Sequence, residues 1–168
     1  MFKRIFATIA AIVTALFLFS NPAVAANGNA HFIKNATSAT LSGSSLVVNF
    51  KEAGLSSGAV ETVTVTATAT TTYECVNNGG NNPQASNKTT TETDVSTSGT
   101  FTADKNGNIT GSLTLIPPSA TELGFSCPPG QTVTFVSVTY SNVVITDTTS
   151  GASTSFPGTF EYTNPLAP

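Results

Sequence analysis

The sequence predicts an all-β protein, an antiparallel immunoglobulin-like or fibronectin-like β-sandwich of about six to eight strands that follows a cleaved signal helix. Three observations support this fold class. Residues 60–75 alternate between apolar and hydroxyl side chains, short β-patterned runs recur between turn-forming segments, and no helical periodicity follows residue 25. A small closed barrel is the alternative architecture.

The first 25 residues have the pattern of a secretory signal. Lys3 and Arg4 provide a positive start, residues 5–19 are apolar apart from two threonines, and small residues lead to Ala25. A membrane-spanning helix needs about 20 apolar residues, and this run is shorter. The pattern therefore predicts a signal peptide at 1–25, a secreted or cell-surface protein, and no stable membrane span after cleavage.

Length and charge limit the size of the domain after residue 25 and the partners it can bind. Cleavage would leave 143 of the 168 residues, with four lysines against nine acidic residues and a formal net charge of −5. This length suits a single core, which we place at residues 39–168 after a flexible lead-in at 26–38 that has a first edge strand at its end. Because phosphate binding requires a basic patch, the charge balance excludes a nucleic-acid partner. The sequence points to no cofactor.

The strand pattern is strongest at residues 60–75. Apolar residues of one parity, including Val63 and Val65, alternate with threonines, which predicts one buried and one wet face. Cys75 continues the apolar parity, so its sulfur should lie on the core side. Alternation at residues 46–50 predicts an earlier strand, and the segment at 51–58 a loop.

The later strands are less regular. Residues 95–101 and 109–115 flank the turn-forming segment 104–108, which predicts a hairpin. The apolar parity changes after Phe135, which predicts a bulge or a bend near that position. Residues 156–162 form the last predicted strand, and Pro157 favours an edge position for it.

The two cysteines, Cys75 and Cys127, predict a single disulfide, because an exported chain meets an oxidising compartment. Cys127 precedes two prolines and therefore belongs to a loop. We expect the bridge to tie the end of the long strand to the loop before Val133, at one end of the sandwich. The only histidine, His31, lies near the predicted mature N-terminus, and the chain has no Cys-x-x-Cys motif.

The sequence indicates no catalytic residues. A serine or cysteine nucleophile needs a neighbouring base, and His31 is the only histidine available. The nine acidic residues form no motif, and most of them are predicted in turns or on wet strand faces, where they would be solvated. Residues 104–108 are similar to the start of a calcium loop, but Ile109 and Leu115 stand where that loop requires Gly and Glu, so no metal site is predicted.

Two features of the sequence suggest that the protein binds a ligand. The alternating threonines suggest an ice-binding surface. A match to the ice lattice needs several neighbouring strands with the same repeat, however, and the twist of antiparallel sheets spoils a flat array. The amide-rich segment at residues 77–84 is the candidate ligand loop, with the three tyrosines as candidate sugar-stacking neighbours. The loop residues are Asn77, Asn78, Asn81, Asn82 and Gln84, and the tyrosines are Tyr73, Tyr140 and Tyr162.

The segments YECVNNGGN at residues 73–81 and FSCPPGQ at residues 125–131 carry a resemblance to a known group of proteins. The chain resembles, over residues 40–163, small exported bacterial β-sandwich proteins of unassigned function. The resemblance carries over no catalytic residue and no ligand. It implies a bacterial source, and hence that the Asn-x-Ser/Thr sequons at Asn35, Asn87 and Asn108 occur by chance.

These observations predict a secreted or cell-surface domain with a structural or interaction role and without catalytic activity. The alternative is a weak carbohydrate-binding module that uses the loop at residues 77–84. The partners that fit are cell-wall or extracellular polysaccharide, or another surface protein. An exported hydrolase, as a third class, would require carboxylates clustered in a cleft.

Overall fold

The computed structural model describes residues 29–77 and 87–167, which form nine β-strands and one short 3-10 turn, without an α-helix in these two ranges. The predicted signal peptide lies outside the described residues. The strands are β1 (His31–Phe32), β2 (Ser38–Ser42), β3 (Ser45–Ala53), β4 (Val60–Asn77), β5 (Lys88–Thr102), β6 (Ile109–Leu115), β7 (Gln131–Asp147), β8 (Ser153–Phe156) and β9 (Phe160–Thr163), and the 3-10 turn is Lys34–Ala36.

The strands form two antiparallel sheets. In the four-stranded sheet, β3 pairs with β6 on one side and with β1 and β2 on the other. In the five-stranded sheet the order is β5-β4-β7, and β8 and β9 pair with successive parts of β7. The all-β fold class with two packed antiparallel sheets is confirmed.

One hydrophobic core lies between the sheets. The alternation predicted for residues 60–75 is confirmed, because the apolar residues of β4 from Val63 to Cys75 are buried while the intervening threonines lie on the outer face. Phe50 of β3 and Phe101 of β5 meet edge to face across the two sheets, with ring centroids 5.0 Å apart. The fully buried apolar side chains are Leu46, Val48, Val63, Val65, Ala69, Val138, Tyr140, Val143 and Ile145.

The predicted hairpin at residues 95–115 is wrong. β5 pairs with β4 in one sheet, whereas β6 pairs with β3 in the other, so the turn between them is a corner that joins the sheets. The Asp104 carboxylate accepts hydrogen bonds from the backbone N–H groups of Asn106 and Asn108. The turn also docks on another loop, since the Leu55 N–H donates to the Gly107 carbonyl at 3.1 Å. A hairpin and a corner use the same turn residues, and strand pairing alone distinguishes them.

The ends of the domain also differ from the prediction. From residue 31 the segment expected as a flexible lead-in, 26–38, is part of the four-stranded sheet, because β1 pairs with β3 and the Phe32 ring packs on Phe50. The strand predicted at 156–162 is divided in two. Pro157 follows β8 directly, and β9 resumes three residues later on the same edge of β7, as expected for a proline at a sheet edge.

The predicted disulfide is confirmed. Cys75, near the end of β4, is bonded to Cys127 in the loop that precedes β7, and 52 positions separate the two residues along the chain. A hydrogen bond joins the two sheets. The buried Tyr140 hydroxyl of β7 donates to the Ser44 carbonyl in the turn between β2 and β3, at 2.9 Å.

Two bulges interrupt β7. The register with β4 shifts between Thr72 and Tyr73, where Val136 is the additional residue, so the irregularity predicted near Phe135 is confirmed. A second shift lies between Thr66 and Thr68 of β4. Each shift exchanges the buried and exposed parities of β7, which explains why its apolar pattern is irregular in the sequence.

Candidate functional site

The outer face of the five-stranded sheet is rich in hydroxyl groups, among which lie the acidic residues Glu92, Asp94 and Glu161, and we call it the hydroxyl face. The six threonines of β4 that point outward are Thr62, Thr64, Thr66, Thr68, Thr70 and Thr72. Their neighbours on β5, β7 and β8 extend the array: Thr90, Ser96, Ser98, Thr100, Ser137, Thr139, Ser141, Thr146, Ser153 and Ser155. The sequence showed a single array on one strand, whereas the sheet places hydroxyl groups on four adjacent strands.

Several of these hydroxyls are paired across strands. Thr64 Oγ1 lies 2.8 Å from Ser98 Oγ, and Thr72 Oγ1 lies 2.9 Å from Thr90 Oγ1. A hydroxyl carries one donor and two acceptor positions, so each pair still has a donor and acceptors free for a ligand. The pairs fix hydroxyl positions without consuming their capacity to bind.

The second bulge of β7 places an amide on this face. Asn142 has a φ of 53°, the only left-handed backbone conformation among the described residues other than glycine. Asparagine tolerates this conformation better than most side chains. Bulges redirect side chains and are frequent beside functional sites. Here the bulge keeps both Tyr140 and Val143 in the core and leaves Asn142 exposed.

A depression of about 430 Å³ lies beside this bulge. Asn142 Nδ2 donates to Thr68 Oγ1 at 3.5 Å, and Thr68 Oγ1 donates to Asp94 Oδ1 at 3.2 Å. An amide, a hydroxyl and a carboxylate therefore converge in one shallow cavity, and together they supply both donors and acceptors. This set of groups can hydrogen-bond the hydroxyls of a neutral polar ligand. The other lining residues are Thr66, Ala67, Val95 and Ser96.

The predicted ligand loop lies mostly outside the described residues, which include Asn77 but not Asn78, Asn81, Asn82 or Gln84. The Asn77 side chain accepts a hydrogen bond from Gln131 Nε2 at 2.8 Å. Thr68 is nine residues away along β4, about 30 Å at the usual rise of a strand. Asn77, where the predicted loop begins, and the depression are therefore separate places on the sheet.

The tyrosines expected to stack on sugars do not present free rings. Tyr73 is 8% exposed, its ring lies against Phe125 and Phe135, and its hydroxyl donates to the Pro118 carbonyl. Burial raises the pKa of Tyr73. Tyr140 is fully buried, as described above, and its pKa is raised for the same reason. Tyr162 is half-buried and its ring lies nearly parallel to that of Phe135.

The prediction that the acidic residues are solvated is wrong for four of them. Glu52, Glu61, Glu74 and Asp147 are all buried. Glu74 forms an ion pair with Lys88, with 3.4 Å between Oε2 and Nζ. Glu52, Glu61 and Asp147 form a separate group, and the parity of their strands predicts their buried positions. Each continues the apolar parity of its strand, as Glu52 does after Leu46, Val48 and Phe50.

Glu52, Glu61 and Asp147 form what we call the acid cluster, with one carboxyl group from each of β3, β4 and β7. Glu52 and Asp147 are fully buried and Glu61 is 2% exposed. Ser150 Oγ donates to Glu52 Oε1 at 3.0 Å, and the backbone N–H groups of Thr149 and Ser150 donate to Asp147 Oδ1. Burial, and next the Asp147 charge, raise the pKa of Glu52 to about 7, and the same two causes raise that of Glu61.

Within residues 29–77 and 87–167, no group of three or more His, Cys, Asp or Glu side chains has an arrangement that could hold a metal ion. In the same ranges no helix is long and apolar enough to cross a membrane. Comparisons of the chain with protein-family models, with curated proteins and with solved structures found no match.

Proposed function

We propose that the protein is an exported, non-catalytic interaction domain, an immunoglobulin-like sandwich that binds a neutral polysaccharide through the hydroxyl face. The observation that carries the proposal is the left-handed backbone of Asn142. Its amide donates to the Thr68 hydroxyl, which in turn donates to the Asp94 carboxylate in the depression. Unfavourable backbone conformations persist where the surrounding structure imposes them, and they concentrate at functional sites.

Charge favours a neutral ligand. The chain after residue 25 has a formal charge of −5, and the depression itself contains Asp94. An anionic polymer would be repelled, whereas a neutral polysaccharide offers hydroxyls to the amide, the carboxylate and the threonines. The acid cluster does not favour hydrolysis, because its three carboxyl groups are at most 2% exposed and a polymer cannot reach them.

Export is supported by the signal pattern at residues 1–25 and by the disulfide, which suits an oxidising compartment. Cross-strand hydroxyl pairs and a covalent bridge also suit a domain that must persist outside the cell. If the loop at residues 77–84 were the carbohydrate site instead, substitutions in that loop, and not on the hydroxyl face, would abolish binding.

The proposal is tested by depletion of the mature protein from solution by cellulose, chitin and insoluble β-glucan. Binding to at least one of them is expected. Asn142→Gly keeps a residue that accepts a left-handed backbone but removes the amide, and should weaken binding about tenfold, as expected for the loss of one or two hydrogen bonds.

A second variant removes hydroxyls without changing side-chain shape. Thr66→Val, Thr70→Val and Thr139→Val together should reduce binding further. The matched control replaces Thr40, Thr110 and Thr114, which are exposed on the four-stranded sheet, by valine and should bind normally. Retention of binding by both face variants, with loss in an Asn78→Ala, Asn81→Ala variant, would transfer the site to the loop and contradict the proposal. No depletion by any polysaccharide would also contradict it.

A further inference from the structure

The acid cluster is the second unusual feature of the fold, and it lies apart from the hydroxyl face. Three carboxyl groups from three strands meet inside the protein, and one oxygen of each has no hydrogen-bond partner in the described residues: Glu52 Oε2, Glu61 Oε2 and Asp147 Oδ2. An unpaired buried carboxylate is costly, and three adjacent ones would repel each other strongly. Protonation of some of them relieves both costs.

Within residues 29–77 and 87–167, no cationic side chain forms an ion pair with the cluster. Glu52 is paired with Phe32 of β1 and with Ile109 of β6, and Glu61 is paired with Phe101 of β5. Among the charged groups on or near these elements, His31 is exposed and its Nδ1 lies 2.7 Å from the Asn29 carbonyl. Lys51 acts on the Asp104 carboxylate, whose pKa is lowered mainly by backbone hydrogen bonds. The strand neighbours of Glu52 and Glu61 are therefore apolar, and the polar contacts of the cluster come from Thr149 and Ser150.

The hydrogen bonds within the cluster are unequal. Asp147 Oδ1 accepts hydrogen bonds from two backbone N–H groups, whereas Glu52 accepts one from the Ser150 hydroxyl and Glu61 accepts none from the described residues. The favourable arrangement is one carboxylate, Asp147, between two protonated glutamic acids that donate to it.

We propose that the acid cluster is a proton-sharing latch, in which protonated Glu52 and Glu61 join β3 and β4 to Asp147 on β7, and which weakens as the pH rises through neutrality. β3 belongs to one sheet, and β4 and β7 belong to the other. The latch therefore joins the two sheets, and proton loss sets like charges against each other at their interface.

The direction of the pH effect follows from linkage. A carboxyl group whose pKa is higher in the folded state stabilises the fold fully below its unfolded pKa, near 4.5. That stabilisation is lost as the pH rises through the folded value, about 7 for Glu52. Glu52 alone should raise the equilibrium constant for unfolding roughly seventyfold between pH 5 and pH 8.

The test is urea unfolding of the disulfide-bonded protein from pH 5 to pH 8. The wild type should become less stable over this range. Glu52→Gln, which stays neutral and can still donate to Asp147, should remove most of the pH dependence and be more stable than the wild type at pH 8. Glu92→Gln, an exposed change on β5, is the matched control and should follow the wild type. Wild-type stability that is flat or rises with pH, or an unchanged slope in Glu52→Gln, would overturn the latch.

Two further measurements use the wild type alone and do not depend on the folding of a variant. The infrared spectrum of the folded protein should contain the carbonyl stretch of protonated carboxyl groups at pH 6, where exposed acids are ionised, and lose it by about pH 9. Its absence at pH 6 would overturn the proposal. Calcium that stabilises the wild type at pH 8 but not Glu52→Gln would identify a cation site instead and would overturn it as well. None of these results depends on polysaccharide binding.

Discussion

Removal of the Cys75–Cys127 disulfide should destabilise the protein by about 4 kcal/mol. The bridge closes a loop of 52 residues, and the chain-entropy relation for such a loop gives about 4 kcal/mol at 25 °C. Because Cys75 is only 2% exposed, alanine is a better replacement than serine, which would bury a hydroxyl. The double variant Cys75→Ala, Cys127→Ala therefore isolates the covalent constraint.

Urea unfolding followed by circular dichroism measures this effect. With a slope of about 2 kcal/mol/M for a domain of this size, the midpoint should fall by about 2 M. The reduced wild type should have the same midpoint as the double variant, and Ser126→Ala, beside the bridge on an exposed residue, should leave it unchanged. A loss below about 1 kcal/mol, in both the variant and the reduced protein, would refute the entropic account of the bridge.

Two more predictions concern the corner between the sheets and the N-terminus. Gly107 and Gly58 have nearly equal φ values of 72° and 74°, but a Cβ on Gly107 would lie 2.1 Å from the Leu55 carbonyl oxygen, whereas nothing lies within 4 Å at Gly58. Gly58→Ala should cost about 1 kcal/mol of stability and Gly107→Ala at least about 2 kcal/mol more, and equal losses in urea unfolding would be inconsistent with a docked corner. Intact mass measurement of the exported protein should give a chain that begins at Ala26, and a chain that retains the first 25 residues would contradict the predicted signal peptide.

The parity of β-strands was the most informative signal in the sequence, and it contained more than the sequence reasoning used. The alternation at residues 60–75 correctly predicted the buried face of β4 and the inward position of Cys75. The same rule places Glu61 on that buried face and Asp147 in line with Val143 and Ile145. Acidic residues are usually exposed, so residue type and strand periodicity predict opposite positions for these side chains, and the structure follows the periodicity.

Other features could not be read from one sequence, because they depend on which strands pair. The residues at 104–108 specify a turn, but β5 and β6 pair with strands that lie at least 14 and 57 positions away in the chain, respectively. The depression has the same origin. Asn142, Thr68 and Asp94 come from three strands, and only the sheet register and the bulge in β7 bring them together. No local pattern predicts such a site.

The central claim is that the hydroxyl face binds a neutral polysaccharide around Asn142. Its most direct test is an amide nuclear magnetic resonance titration of the folded protein with soluble cellohexaose and chitohexaose. We expect the largest shift changes at Thr66, Thr68, Asp94 and Asn142, and their loss in Asn142→Gly. Changes confined to the loop at residues 77–84, or no changes with either oligosaccharide at millimolar concentration, would contradict the claim.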